Sequence, residues 1–394
     1  MRVLHIVTAF PRNDRDVITP WLVEMLRRLQ QRGLEVEVLT SAYKGGGGDQ
    51  YAGIPVHRFR YFLRPWENLT HEEAAPERMR RSLIYRVLPV FFVAAGMFAA
   101  WRLARRRRYD VIHVHWPLPL ALLGWAAQRG RRAPLVTTFY GVELRLVKSS
   151  LKLLRSFVAW AARRSNRVVA ISSYTADEVR SLVNVPVEVI PYTTSLPSGA
   201  PAHHERGAGP ATVLFVGRLV ERKGLVHLLE AAAQLRTDLP LRVVIVGDGS
   251  ERERLEARGR DLRVSDIVEF RGKISDDELQ AAYRAADVFV LPSVHDARGD
   301  TEGLGVVLLE AMNLGVPVIG SRIGGIVDIV VDGESGLLVP PGDANALAAA
   351  LRRVLTDTAV ARRLGQAGQD RVRKDFTWDT ITARWEAIYR AVVR

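Results

Sequence analysis

A chain of 394 residues exceeds what one ordinary core serves, so two domains of about 200 residues each are expected. Hydrophobic residues make up 48%, which fits a globular chain, and the absence of cysteine excludes disulfides, thiolate metal sites and a cysteine nucleophile. The net charge of +13 is segregated: residues 1–200 hold 30 Lys+Arg against 15 Asp+Glu, whereas residues 201–394 hold 26 against 28. This excess suggests a polyanionic partner for the first half, either nucleic acid or an anionic membrane surface.

In chain order, the N-terminus runs straight into a strand, "MRVLHIVTAF", so no signal peptide is expected. Together with the missing cysteines this points to a cytoplasmic protein, with a peripheral position at the inner face of the cell membrane as the further expectation. The next loop, "AFPRNDRDVITPW", holds a lone Asp-x-Asp, Asp14 and Asp16, beside Arg12 and Arg15; it reads as loop charge rather than a metal site. Strands follow at "EVEVLTS", "VIHVHW", "PLVTTFY" and "RVVAIS". The four glycines 45–48 read as a surface loop, since no helix start follows them to make a phosphate cradle.

"VLPVFFVAAGMFAAW", residues 87–101, has 15 uncharged residues, short of the roughly 20 a spanning helix needs. Arg81 and Arg86 precede it, and Arg102 and Arg105 to Arg108 follow. Two readings stand: a buried core helix, or an interfacial helix with basic flanks on lipid headgroups. A second basic–apolar pattern is "RLVKSSLKLLRSFVAWAARRSNR". His113 and His115 share one face of a strand and read as structural or acceptor-side residues, with no carboxylate nearby in sequence to complete a metal site.

The strand–helix alternation restarts after a Pro-, Gly- and Ser-rich stretch. The expected organisation is a domain over 1–191, a linker over 192–210, a second domain over 211–375, and a terminal helix over 376–394 that packs back on the first. In the second half, strands are expected at "TVLFVGRL", "LRVVIVGDG", "IVEFRG", "VFVLPS", "PVIGS" and "GLLVP", with helices such as "LVHLLEAAAQL" and "DDELQAAYRAA". Alternation of this kind predicts α/β domains with doubly wound parallel sheets, which bind ligands at the carboxyl ends of their strands.

Chemistry concentrates at two loops of the second half. After "VFVLPS" comes Glu302, then Gly303, Leu304 and Gly305, then a helix entered near Val306 that carries Glu310. Such a helix entrance is a ready anion site. At a rise of about 1.5 Å per residue, the two glutamates lie up to roughly 12 Å apart, on the order of the span from sugar to ribose in a nucleotide diphosphate sugar. The other loop, in "VLFVGRLVERKG", offers Arg218 and Lys223 as cations to clamp a diphosphate.

In this order, "GRLVERKG", "VVIVGDGSERERLE", "IVEFRGKISDDELQAAYRAADVFVLPS" and "DTEGLGVVLLEAMNLGVPVIGSRIGGIVDIVVDGESGLLVPPGD", with "ISSYTADEV" and "VEVIPY" before them, resemble the retaining, GT-B-fold glycosyltransferases of glycosyltransferase family 4. The resemblance spans nearly the whole chain and is strongest over 212–345. It implies two Rossmann-like domains facing across a cleft and transfer of a sugar from a UDP- or GDP-sugar. The acceptor hydroxyl would lie on a lipid or lipid-linked glycan. Transfer would retain anomeric configuration by a same-face mechanism, with no cofactor or metal.

By position, Arg218 and Lys223 match the diphosphate-binding pair, and Glu302 with the backbone of Gly303, Leu304, Gly305 and Val306 matches the group holding donor sugar and phosphate. Glu310 matches the ribose-binding carboxylate, and Ile274 the position packing on the base. Two departures stand out. The loop after the first strand has no glycine, and "TFYGVEL" puts Tyr140 and Glu143 where many relatives have His and Asp. A tyrosine still donates a hydrogen bond but does not titrate near neutral pH. The alternatives are a basic nucleic-acid-binding protein, a sugar-nucleotide epimerase, or a non-catalytic nucleotide-binding protein of this fold; no recognised nucleic-acid module is present, so no nucleic-acid partner is expected.

Overall fold

The computed structural model describes residues 1–14, 16, 18–70, 83–149, 151–194, 196 and 209–393. Most of the expected linker over 192–210 lies outside these residues, as do Arg15 and Arg81. The chain divides into two compact units: one comprises Met1–Ile171, Thr175–Ile190 and Trp378–Arg394, the other Ser172–Tyr174 and Pro191–Thr377.

The first unit is built on β1 (Arg2–Ile6), β2 (Glu35–Ser41), β3 (Gln50–Tyr51), β4 (Ile54–Phe59), β5 (Val111–His115), β6 (Leu135–Phe139), β7 (Arg167–Ala170) and β8 (Val187–Val189). They form one sheet in the order β3-β4-β2-β1-β5-β6-β7-β8. Every pairing is parallel except β3 with β4. The chain leaves the centre at β1, winds outward to β2, then returns across to β5. The point between β1 and β5, where the winding reverses, is where such sheets open a crevice.

Helices cover both sheet faces, which is why the central strands read as continuous apolar runs. One core joins Val3, Val36, Val38, Val111 and Val136 to Leu22, Met25, Leu26 and Leu29 of the helix Pro20–Gln31. Ile381, Trp385, Ile388 and Tyr389 of the helix Trp378–Val393 belong to the same cluster. This segment from the far end of the chain therefore completes the wall of the first unit's core. On the other face, Leu4, Ile6 and Ile112 pack with Leu88, Phe92, Ala100 and Ala104 of the helix Leu83–Arg106. Gly96 lets that helix approach its neighbour Pro117–Gly130: a Cβ at 96 would stand 2.7 Å from Leu123.

The second unit has β9 (Ala211–Val216), β10 (Leu241–Val246), β11 (Val268–Gly272), β12 (Val288–Leu291), β13 (Val318–Ser321) and β14 (Leu337–Val339). Their order is β11-β10-β9-β12-β13-β14, all parallel, with the reversal between β9 and β12. Local signals agree with the helix starts. Ser275 and Glu278 form a reciprocal capping box at Asp276–Arg284, with Glu278 Oε2 accepting from the Ser275 amide over 2.8 Å. Asp343 caps Ala344–Thr356 through the Ala346 amide at 2.9 Å. Each such cap stabilises by about 1 kcal/mol.

Candidate active site

In the second unit the reversal point lies between β9 and β12, and the two loops singled out above leave those two strands. Beyond β9 the chain passes Gly217 and the exposed Arg218, makes a short 3-10 turn over Glu221–Lys223, and enters the helix Leu225–Leu235. Beyond β12 it passes the fully buried Ser293 and reaches Thr301 and Glu302.

Lys223 and Glu302 are both buried, and Lys223 Nζ donates to Glu302 Oε2. Arg222 Nη1 donates to the same oxygen over 3.2 Å, and Arg222 Nε lies 3.7 Å from Asp300. Burial alone would push the Glu302 carboxyl up, but the charges of Lys223 and Arg222 outweigh it and hold the group below its ordinary range. Burial pulls the Lys223 ammonium down; Glu302 opposes this, and the neighbouring Arg222 and Arg218 add to the lowering. A buried carboxylate thus holds a lysine whose proton is less tightly kept than usual.

The backbone after Glu302 is shaped by close packing. Gly324, at φ +55°, donates no side chain into a contact where a Cβ would come 2.1 Å from the Glu302 carbonyl oxygen, and at Gly325 it would come 2.3 Å from that of Gly303. The Gly325 amide donates to the Glu302 carbonyl over 3.0 Å. Gly305, in the left-handed region at φ +91°, then turns the chain into the helix Val306–Asn313. The Leu308 amide turns back to the Gly305 carbonyl at 2.9 Å, and the amides of Val306 and Val307 ahead of it give the entrance partial positive charge a few residues beyond Glu302.

Glu310 sits in the second turn of this helix and is half-buried. Its Oε2 accepts from the Tyr283 hydroxyl over 2.6 Å, and its Oε1 accepts from Thr194 Oγ1 over 3.4 Å. Burial pushes the carboxyl up, and the two hydrogen bonds work against that. Ile274 is half-buried on the segment between β11 and the capping Ser275.

Arg222, Tyr283, Tyr192 and Thr194 are the residues that sequence reasoning missed. Arg222 is adjacent to Lys223 in "ERKG", and a 3-10 turn rather than a loop is what brings both to Glu302. Burial, then the negative Glu302, pushes the Tyr192 phenol up to about 12, so this ring stands in the field of the same carboxylate. Tyr192 and Thr194 lie at the start of the stretch expected to be linker, and no periodic pattern marks them. A groove of about 870 Å³ adjoins the same turn: Val220, Glu221 and Gly224 line it with His227, Arg254, Arg258 and His295, although Lys223, Glu302 and Glu310 do not.

Residues 20–193 match the family described as Glycosyltransferase Family 4, and residues 200–371 match Glycosyl transferases group 1. A glycogen synthase of Mycobacterium tuberculosis is 31% identical over 300 residues, 74% of this chain and 70% of that protein. A GDP-mannose-dependent alpha-(1-6)-phosphatidylinositol monomannoside mannosyltransferase of Mycolicibacterium smegmatis is 34% identical over 348 residues, 84% and 90% of the two chains. The chain belongs to the family 4 type of GT-B glycosyltransferases.

The fold of this glycosyltransferase agrees with that assignment. Sucrose-phosphate synthase from Thermosynechococcus elongatus superimposes with a TM-score of 0.76 at 25% identity, covering 99% of this chain and 98% of that one.

In the glycosyltransferase's first unit, Tyr140 and Glu143 lie together just beyond β6, both buried. The Tyr140 ring stacks on Trp116, with centroids 4.4 Å apart, and lies 5.3 Å from Trp21. Glu143 Oε1 accepts from the Tyr140 amide over 2.7 Å, while Oε2 is buried without a partner among the described residues. Burial pushes this carboxyl up to about 7; the amides of 143 and 140 and the charge of Arg145 limit the rise.

His113 and His115 do share one side of β5, and the structure adds His5 of β1, which the sequence did not flag. All three rings are fully buried, and their ligating nitrogens lie within 4.8 Å of one another. His5 Nδ1 and His115 Nε2 are 3.0 Å apart, and His115 Nδ1 is 2.7 Å from the Tyr140 hydroxyl. His113 uses both nitrogens, each at 2.7 Å, on the Tyr389 hydroxyl and Thr138 Oγ1. Five of the six ring nitrogens are engaged in this network, burial keeps the three imidazoles neutral, and His5 Nε2 alone is buried without a partner among the described residues. Of the Asp14–Asp16 pair, Asp16 Oδ1 accepts from Arg12 Nη2 at 2.6 Å, an ion pair within its own loop.

Proposed function

We propose that this glycosyltransferase moves a sugar from a UDP- or GDP-sugar to a hydroxyl of a lipid or lipid-linked glycan, with retention of anomeric configuration and without a metal ion. The observation that carries the reading is the buried cluster of Lys223, Arg222 and Glu302 beside the entrance of the helix Val306–Asn313. Cations and helix amides at a sheet's reversal point suit a diphosphate, which carries charge that grows as it leaves.

In this reading Arg218, Arg222 and Lys223 neutralise the departing diphosphate, the role a divalent cation fills in other enzymes. Lys223 exchanges its contact with Glu302 for a phosphate oxygen. Glu302, with the backbone of Gly303, Leu304, Gly305 and Val306, then holds sugar hydroxyls and phosphate, and Glu310 accepts from the ribose diol. Ile274 packs on the base. The bond from the anomeric carbon to phosphate oxygen breaks as the bond to the acceptor oxygen forms on the same face. The acceptor's proton passes to the departing phosphate oxygen, and no protein nucleophile enters. The lipid character of the acceptor is supported by the mannosyltransferase relative, whose name gives a phosphatidylinositol monomannoside substrate, and by the basic first half.

A panel of UDP- and GDP-sugars screened by thermal shift tests the donor, because a bound ligand raises the midpoint. One donor is expected to stabilise the protein and to be consumed by transfer in the presence of a chelator, with the product's anomeric configuration equal to the donor's. No stabilising donor, an isomerised donor without transfer, or an inverted product would overturn the reading.

A further inference from the structure

The helix Leu83–Arg106 has two unlike faces. Leu88, Phe92, Gly96, Ala100 and Ala104 repeat every fourth residue and are buried against the unit. On the other face Val87, Val90, Phe91 and Phe98 are 52%, 67%, 45% and 59% exposed. Leu63, at 66%, adds to them, and the Phe62 ring lies 5.2 Å from Phe91. Soluble surfaces scatter large apolar side chains singly; here they form one row along roughly 16 Å of helix. By length and hydropathy the helix is long enough to cross a bilayer, but its packed ridge holds it in the unit's core.

Both ends of the exposed row are cationic. Arg86 precedes it, and Arg102 and Arg105 continue the same face one and two turns beyond Phe98. A groove of about 680 Å³ between this helix and β4 is lined by Phe98, Arg58, Arg60, Arg102, Arg106 and Arg107, with Asp49 as its one acid. Arg107 is held by Glu37 at 2.9 Å, Arg60 by Glu67 at 3.2 Å, and Arg58 by the carbonyl of Pro11 at 2.6 Å. Among the described residues, Arg102 and Arg106 have no acidic partner.

We propose that the Val87–Phe98 face docks on an anionic phospholipid bilayer, with the apolar row in the acyl boundary and Arg102 and Arg106 on lipid phosphates. An apolar band between cationic ends matches a layered surface of chains and phosphates. A nucleic acid offers no apolar layer for four such side chains. A second copy would set arginine against arginine whichever way the two helices ran. The proposal rests on the lipid-acceptor part of the proposed function only for its purpose, because vesicle binding is read with neither donor nor acceptor present.

The test is co-sedimentation of the full chain with vesicles of phosphatidylcholine, alone or mixed with phosphatidylglycerol, at low and high salt. Binding is expected to the mixed vesicles only. V90D/F98D should weaken it about tenfold or more at low salt, each charge now having to enter the acyl boundary. R102E/R106E should weaken it by about fivefold per site and remove most of the salt dependence. Circular dichroism and melting midpoints confirm that the variants fold, and surface positions make that the expected result. Failure of the wild type to bind mixed vesicles, or folded variants binding like wild type, would overturn the proposal. So would a concentration-dependent dimer abolished by V90D/F98D, or retention on nucleic acid without vesicle binding. A donor-induced thermal shift is unaffected by any of these outcomes, so the two readings fail separately.

Discussion

Tyr283, fully buried in the last turn of the helix Asp276–Arg284, donates its hydroxyl hydrogen to Glu310 Oε2 across 2.6 Å. The bond fixes one carboxylate oxygen and leaves Oε1 only the long contact of 3.4 Å with Thr194. A ribose hydroxyl is a better donor than that contact. Glu310→Ala is therefore expected to weaken nucleotide affinity by about tenfold, the scale of a hydrogen bond to a charged acceptor. Tyr283→Phe should weaken it less, because the carboxylate stays but loses its fixed orientation. Calorimetry with UDP and GDP checks both, and equal affinity for Glu310→Ala and wild type would remove the ribose assignment.

Arg218, Arg222 and Lys223 are expected to act on turnover. Replacing each by alanine should lower kcat by at least about tenfold, the scale of losing one preorganised donor at a developing charge. Arg222 enters this set on the strength of its contact with Glu302 alone. Initial rates at saturating donor settle it, and a wild-type kcat for all three would remove the leaving-group argument.

Lys223→Ala should also destabilise the second unit, by about 1–3 kcal/mol, since it leaves the buried Glu302 carboxylate with Arg222 as its one cationic partner among the described residues. Glu302→Gln added to Lys223→Ala should recover part of the lost melting temperature without recovering activity. If the double variant melts no higher than the single one, burial of the Glu302 charge is not what the lysine offsets.

The three buried histidines give the first unit a pH dependence. Burial holds all three well below their unfolded value near 6.5, His5 at about 3. The unfolded chain therefore binds more protons between these limits. Stability contributed by the neutral network is complete above pH 6.5 and falls as pH drops toward 3, by about 1.4 kcal/mol per pH unit for each histidine. Glu143 works in the opposite sense: its folded value of about 7 lies above the unfolded 4.5, so its contribution is complete at low pH and lost as pH rises through 7. Chemical denaturation across pH 4.5–7.5 is expected to show a net acid loss that Glu143→Gln changes and His5→Asn reduces. A flat profile would mean the cluster is solvated.

The second unit was almost fully legible in the sequence. Five of the six strands fall within the expected stretches, β9 starts one residue earlier, at Ala211, and the helix Leu225–Leu235 has the expected bounds, because parallel strands covered on both faces leave unbroken apolar runs. β4 was not expected: Pro55 and His57 interrupt its pattern, and its pairing with β2 is a long-range choice. Of the candidate site, Lys223 and Glu302 were visible as residue types on neighbouring loops. Their shared contact with Arg222 depends on the 3-10 turn, and the Tyr283 and Thr194 contacts to Glu310 depend on segments distant in sequence. For residues 87–101 the alternatives were core or interface, and the helix turns one face to the core and leaves the other exposed, a division that hydropathy averaged along the chain conceals.

The Trp378–Val393 helix has a consequence for biosynthesis. The Tyr389 hydroxyl lies 2.7 Å from His113 Nδ1, and Ile381 and Trp385 share one buried core cluster with Val3, Val36 and Val111. A ribosome that has released the first 190 residues has not yet made that helix. The opening domain therefore matures only after residue 393 has emerged, and until then it exposes an apolar seam to chaperones. A nonsense mutation that removes only this helix should cost soluble yield of the whole chain, although every donor-binding residue named above would still be translated.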